Sequence, residues 1–241
     1  MSSVQSDNAV PLDETWTHIV ALVDCSGSMA IVNPQNTANE LTKLIREQTA
    51  GKITATLAGF SNTYRIIKKN VNGKEFIANV NDIMPNGSTA IQESFCKIID
   101  DTGIELSQMT TTRPSKVLII ILTDGAENAS TGEYAGIDGL KLLQEKIKHQ
   151  QEVYNWIFYL LAANMDAVQL GKTYGIHPSC CITYSHSQTG CSNVMRSTSH
   201  ALNRIIATPS VRFVENRDEM LSTNGYTQAE RIFSNPHPHN F

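Results

Sequence analysis

Asp24, Ser26 and Ser28 fall within five residues, in DCSGSM (24–29), directly behind the apolar run HIVALV (18–23). A surface turn draws on the same residue types. A hard divalent cation draws on them too, because it takes oxygen donors from carboxylates and hydroxyls. Two further loops offer matching groups: NGSTA (86–90) supplies Thr89 ahead of a helical pattern, and LTDG (122–125) supplies Asp124 at the end of the most apolar run. In open α/β sheets, ligands sit outside the carboxyl ends of the strands, where all three loops should meet. Two carboxylates neutralise a divalent ion, and the three hydroxyls leave it electron-poor beside a carboxylate-rich calcium cage. An octahedral ion would keep its sixth position for water or for an acidic oxygen from outside.

Other chemistry is weaker. Cys25 lacks the basic sequence neighbour that a reactive thiol needs, and reads as a small packed residue. Glu127 and Asn128 read as solvated rim residues, with Glu127 the best general-base candidate for a hydrolytic site. HPSCCITYSHSQTGC gathers His177, Cys180, Cys181, His186 and Cys191 within 15 residues. Its spacing matches no common structural zinc pattern, and neighbours in a strand point to opposite faces. The terminal PHPHN (236–240) reads as a histidine-containing tail. There is no G-x-x-x-x-G-K-[ST] phosphate loop, and the three site loops offer neither His nor Lys.

The elements that must position these loops alternate. THIVALVD (17–24), KITATLAGFS, SKVLIIILTDG (115–125), NWIFYLLAAN and CCITYS read as strands, and TYRIIKKNVNG as an edge strand closing on an Asn-Gly turn. Helical patterns fill residues 33–51, with Gly51 placed as a stop, then 87–106, GLKLLQEKIKHQQEV, AVQLGKTYG and SNVMRSTSHALNRIIAT. This order predicts an α/β fold with a mainly parallel sheet covered on both faces.

A chain of 241 residues with 41% hydrophobic and 17% charged residues fits one soluble α/β domain with room for tails. We divide it into a polar N-terminal segment (1–15), a domain (16–207) and a tail or small appended element (208–241). A net charge of −4 gives no case for nucleic acid as a bulk partner. No run approaches the roughly 18 apolar residues that cross a bilayer, and the start lacks the pattern of a secretory signal. Five cysteines without a regular framework suit a reducing compartment, so a cytoplasmic location, or a virion for a viral protein, is expected.

Asp24-Cys25-Ser26-Gly27-Ser28, Gly87-Ser88-Thr89 and Thr123-Asp124-Gly125, in that order, resemble the metal-ion-dependent adhesion site (MIDAS) of von Willebrand factor type A domains. WIFYLLAANMDA (156–167) and YGI (174–176) resemble stand-alone intracellular members from bacteria and viruses. The resemblance runs from about residue 15 to about 207. It implies a doubly wound, Rossmann-like sheet with one antiparallel edge strand. It also implies Asp24, Ser26 and Ser28 as core metal ligands, with Thr89 and Asp124 binding directly or through water. Magnesium or manganese is expected ahead of calcium, and the expected partner is a protein supplying an acidic residue; composition and charge, not the resemblance, argue against a membrane or nucleic-acid partner. The family is commonly non-enzymatic, so no catalytic residue is expected. Movement of the last helix, here NVMRSTSHALNRII, is tied to docking in the family. The alternative expectation is a structural or assembly component whose terminal segments make the contacts.

Overall fold

The computed structural model describes residues 10–236. The first nine residues and all of PHPHN except Pro236 therefore lie outside the described residues. Six strands form one sheet: β1 (Leu12–Asp24), β2 (Lys52–Phe60), β3 (Tyr64–Asn72), β4 (Arg113–Thr123), β5 (Ile157–Ala163) and β6 (Cys181–Tyr184). Their order is β3-β2-β1-β4-β5-β6. All pairings are parallel except β2 with β3, so the edge strand is the antiparallel one. Five long helices, α1 (Pro34–Arg46), α2 (Ile91–Ser107), α3 (Gly136–Tyr154), α4 (Ala167–Tyr174) and α5 (Gln188–Ala207), cover the two faces. α1 packs with α5, while α2 packs with α3 and α3 with α4.

The central strands show why the sheet is parallel and covered. Residues 16–24 of β1 and all of β5 are buried, so side chains pointing to either face meet protein. Phe95 of α2 fills the space above β5, with its ring 5.7 Å from Phe158 and 6.3 Å from Tyr174. β3 is only half-buried and carries Lys68 and Lys69, as suits a strand whose outer edge is unpaired.

Several boundaries differ from the sequence reading, three of them with consequences for the fold. β1 begins at Leu12, inside the polar segment, because Leu12 and Asp13 pair with Arg113 and Pro114 across a register shift. α1 stops at Arg46, and Gly51 lies in the turn into β2, not at the helix end. Beyond residue 207 the chain continues as α6 (Ser210–Glu215), α7 (Arg217–Asn224) and α8 (Gln228–Ser234). Phe213, Leu221 and Tyr226 of this segment are buried. Arg204 of α5 grips Glu230 through two hydrogen bonds of 2.9 and 2.8 Å. Burial alone would raise the Glu230 carboxyl, but these bonds and those from Thr227 hold it below its usual range. Thus α5 is not the last helix.

His18 of β1 is buried between two threonines, with Nδ1 2.8 Å from Thr54 Oγ1 and Nε2 3.3 Å from Thr56 Oγ1. A neutral ring has one donor and one acceptor nitrogen, which these two hydroxyls satisfy. Burial pushes its pKa down to about 4. The unfolded chain binds the proton near pH 6.5, so stability falls as pH drops from about 6.5 toward 4. Chemical denaturation at pH 4 and pH 7 should show about 3 kcal/mol of this dependence in the native protein and its loss in His18→Gln. Equal pH dependence in the two proteins would show that the ring titrates normally.

Candidate metal centre

The strand order reverses between β1 and β4, and Asp24 and Thr123 end these two strands. Val23 pairs with Leu122, so the next residues stand side by side. The Thr123 hydroxyl donates to Asp24 Oδ2 at 2.7 Å, and the Ser26 amide donates to Oδ1 at 2.8 Å. Burial pushes the Asp24 carboxyl up. The bonds from Thr123 and Ser26 oppose that, and the nearby charge of Asp124 adds to it, leaving the carboxyl raised. A buried carboxylate in this state gains from a cation.

The second loop is stitched to the first by two backbone bonds, Gly27 N–H to the Gly87 carbonyl (2.9 Å) and Asn86 N–H to the Cys25 carbonyl (2.7 Å). Gly87 has φ +81°, and a Cβ there would collide with Asn62 Oδ1, which accepts the Ser88 amide at 2.7 Å. Thr89 is buried and bracketed by Asn128, whose Oδ1 accepts the Thr89 amide at 2.8 Å and whose amide donates to the Thr89 carbonyl at 3.0 Å. A Cβ on Gly125 would stand 2.9 Å from Thr89 Oγ1. The Thr89 hydroxyl is thereby set against the loop that follows Asp124.

A line of oxygens joins the first and third loops. Ser26 Oγ is 3.2 Å from Ser28 Oγ, and Ser28 Oγ donates to Asp124 Oδ1 at 2.8 Å. Two donors held about 2.1 Å from one ion at right angles stand about 3 Å apart. The donor types and these spacings fit an oxygen-ligated divalent cation. Asp24, Ser26, Ser28 and Asp124 are linked by polar contacts, while the Thr89 hydroxyl lies against Gly125, the residue after Asp124.

The other Asp124 oxygen reveals a neighbour that the sequence reading missed. Oδ2 lies 2.8 Å from His186 Nε2, in the loop between β6 and α5. The contact is close, yet neither buried atom has a partner in hydrogen-bond geometry. Sequence spacing offered no link between residues 124 and 186. The available signal was that His186 follows a strand at the same carboxyl end of the sheet.

Glu127 and Asn128 are also more than a solvated rim. Glu127 accepts from Gln92 N, Ala129 N, Ser130 N and Ser130 Oγ at 2.6–2.9 Å, tying the third loop to the first turn of α2. Cys25 is buried, and burial pushes its thiol up to about 11. The candidate zinc residues are dispersed: Cys191 Sγ meets Thr37 Oγ1, His177 Nδ1 accepts the Ser179 amide, and His186 turns to Asp124. Among the described residues no group of three His, Cys, Asp or Glu side chains is gathered to hold a metal. The Asp24 set relies on hydroxyls for its remaining donors.

Thr123→Val keeps the shape but leaves a buried Asp24 oxygen without its donor. Urea denaturation should show a loss of about 1–3 kcal/mol. Unchanged stability would mean that this oxygen is satisfied by other means.

No protein-family model matches the sequence, and no curated protein matches it. Solved structures do. Proximal thread matrix protein 1 from the mussel byssus superposes with a TM-score of 0.58 at 15% identity, over 81% of this chain and 50% of that one. A form of that protein with zinc in its MIDAS motif gives 0.57 at 14% identity, with the same coverage of 81% and 50%. The ArnB paralog VWA2 from Sulfolobus acidocaldarius gives 0.50 at 16% identity, over 76% of this chain and 44% of that one. The chain thus spans about half the length of these structures or less. Among the described residues no helix is long and apolar enough to cross a membrane. Strand order, the antiparallel edge and these superpositions agree: the chain has the fold of a von Willebrand factor type A domain.

Proposed function

We propose that this chain is a metal-ion-dependent protein-binding module. Asp24, Ser26, Ser28, Thr89 and Asp124 hold a divalent cation, magnesium or manganese ahead of calcium. When bound, that ion supplies a Lewis-acidic point to which a partner protein offers an acidic side chain. The carrying observation is the oxygen line from Ser26 through Ser28 to Asp124, set beside the buried carboxylate of Asp24 at the point where strand order reverses. Metal in the MIDAS motif of a structural neighbour supports the same reading.

The role is binding, without catalysis. Glu127, the best base candidate, has both oxygens committed to backbone and side-chain donors. Residues 16–207 form the type A unit, with the start of β1 before it and the α6–α8 element after it. The assembly alternative would use the terminal segments as contacts. Much of that C-terminal surface is spent internally, through Glu230, Tyr226 and Ser234 against α5. All five cysteines are buried and free, which supports a reducing, cytoplasmic or virion setting.

Calorimetric titration of the metal-stripped chain with Mg2+ and Mn2+, beside Asp24→Ala, tests the site. Saturable binding absent from the variant is expected, as is release of a carboxylate-bearing protein partner by chelator. Equal binding by native protein and variant would sink the proposal.

A further inference from the structure

We propose that the hollow at the amino ends of β1 and β4 binds a small apolar carboxylate that also carries one hydroxyl or N–H group. It is a second ligand site, remote from the metal centre and independent of it. Leu12 and Arg113 open the paired strands that Asp24 and Thr123 close. The 11 residues of β4, at about 3.3 Å each, set the two ends roughly 30 Å apart.

The hollow holds about 350 Å3, within the usual size of a small-molecule pocket. Its walls are mainly apolar and include Leu12, Leu106, Pro114, Val153, Tyr154 and Trp156. Leu12, Val153 and Tyr154 are each more than half exposed, so the rim leaves apolar surface in water that a ligand's body would cover. Polar groups are fewer, and two of them are incomplete. Arg113 donates through Nη2 to the Ser107 carbonyl at 3.0 Å, while its Nε is buried without a partner. Gln150 accepts the Trp156 amide at its backbone carbonyl at 3.1 Å, yet its buried Oε1 is also unpartnered. Buried polar groups in native proteins are normally paired, so both atoms suit a partner from outside the chain. Among the described residues no Asp or Glu lines the hollow. Its one fixed charge is therefore the guanidinium of Arg113, which selects an anionic acceptor. Gln150 Oε1 selects a donor on the same molecule.

Two features of the chain shape the hollow. Between the pairs Asp13–Pro114 and Thr17–Lys116, three residues of β1 (Glu14, Thr15 and Trp16) stand against Ser115 alone of β4. A bulge of this kind bends a strand and re-aims its side chains. Gly103 lies inside α2, where glycine is a poor helix former, and it lines the hollow. A Cβ there would meet no atom within 4 Å, so packing does not demand the glycine. Its missing side chain leaves room for a ligand.

The test uses the full, metal-stripped chain as native protein, Gly103→Leu, Arg113→Met and Asp24→Ala, each checked for folding by circular dichroism. Indole-3-acetate, whose apolar rings carry a carboxylate and an N–H, is titrated by calorimetry beside 3-methylindole, which lacks the carboxylate. Native protein and Asp24→Ala should bind indole-3-acetate saturably and alike. 3-Methylindole should bind the native protein at least about tenfold more weakly, and Arg113→Met should lose that preference. Gly103→Leu should weaken indole-3-acetate binding roughly tenfold or more by filling the hollow. Leucine is the better helix former, so this variant keeps a readout if Arg113→Met misfolds. No saturable binding by the native protein, equal affinity for the two compounds, or full binding by Gly103→Leu would each overturn the proposal. So would binding lost in Asp24→Ala, which would move the carboxylate to the Asp24 loops.

Discussion

A carboxylate buried at the seam between β1 and β4 governs this structure. Asp24 ends a strand whose last nine residues are all buried, so water does not solvate it fully. A buried charge without partners is unstable by several kcal/mol, and a protein answers with donors, a cation or a proton. Here the donors come from the fold itself. The parallel register sets Thr123 beside Asp24, and the tight turn after β1 aims the Ser26 amide back at it. Burial and the charge of Asp124 outweigh these bonds, so the carboxyl stays raised.

The surrounding loops make sense as consequences. Asp24 and Asp124 repel each other unless something lies between them, so hydroxyl groups and not carboxylates occupy the intervening positions. Ser28 bridges to Asp124, and Gly125 lets Thr89 come close. Glu127 reads as a solvated rim residue in the sequence and instead ties the third loop to α2. Its two oxygens satisfy amides at the start of α2 and in its own loop, which helix starts and tight turns otherwise leave open.

Sequence alone displayed the α/β alternation, because near-continuous apolar runs such as VLIIIL identify strands buried on both faces without reference to any other part of the chain. The five oxygen donors were legible for a related reason: each follows a strand or opens a helix, and the parallel fold gathers those positions at one end. Long-range contacts were not legible. The register shift that draws Leu12 and Asp13 onto Arg113 and Pro114 depends on a partner a hundred positions away. The three short helices after residue 207 lack strong periodicity and are specified by what they meet, with Tyr226 stacking edge-on against Tyr159 of β5 at 5.6 Å. His186 appeared only as one member of a Cys/His cluster, and three-dimensional placement separated it from the cysteines.

Those appended helices tie α5 to the rest of the fold. α5 is held from outside by Thr198 to Tyr226 at 2.8 Å, Ser197 to Ser234 at 3.0 Å and Arg204 to Glu230. A sliding motion of α5, such as the family resemblance implies, would have to break these bonds or carry α8 along. Since a buried polar group left without its partner costs about 1–3 kcal/mol, breaking several at once is the more expensive course. Moving together is cheaper, but the end of α8 also holds Ser185, the residue before His186. Any rearrangement of α5 is therefore mechanically joined to the loop that faces Asp124. The C-terminal element thus both covers the core and anchors the loop between β6 and α5.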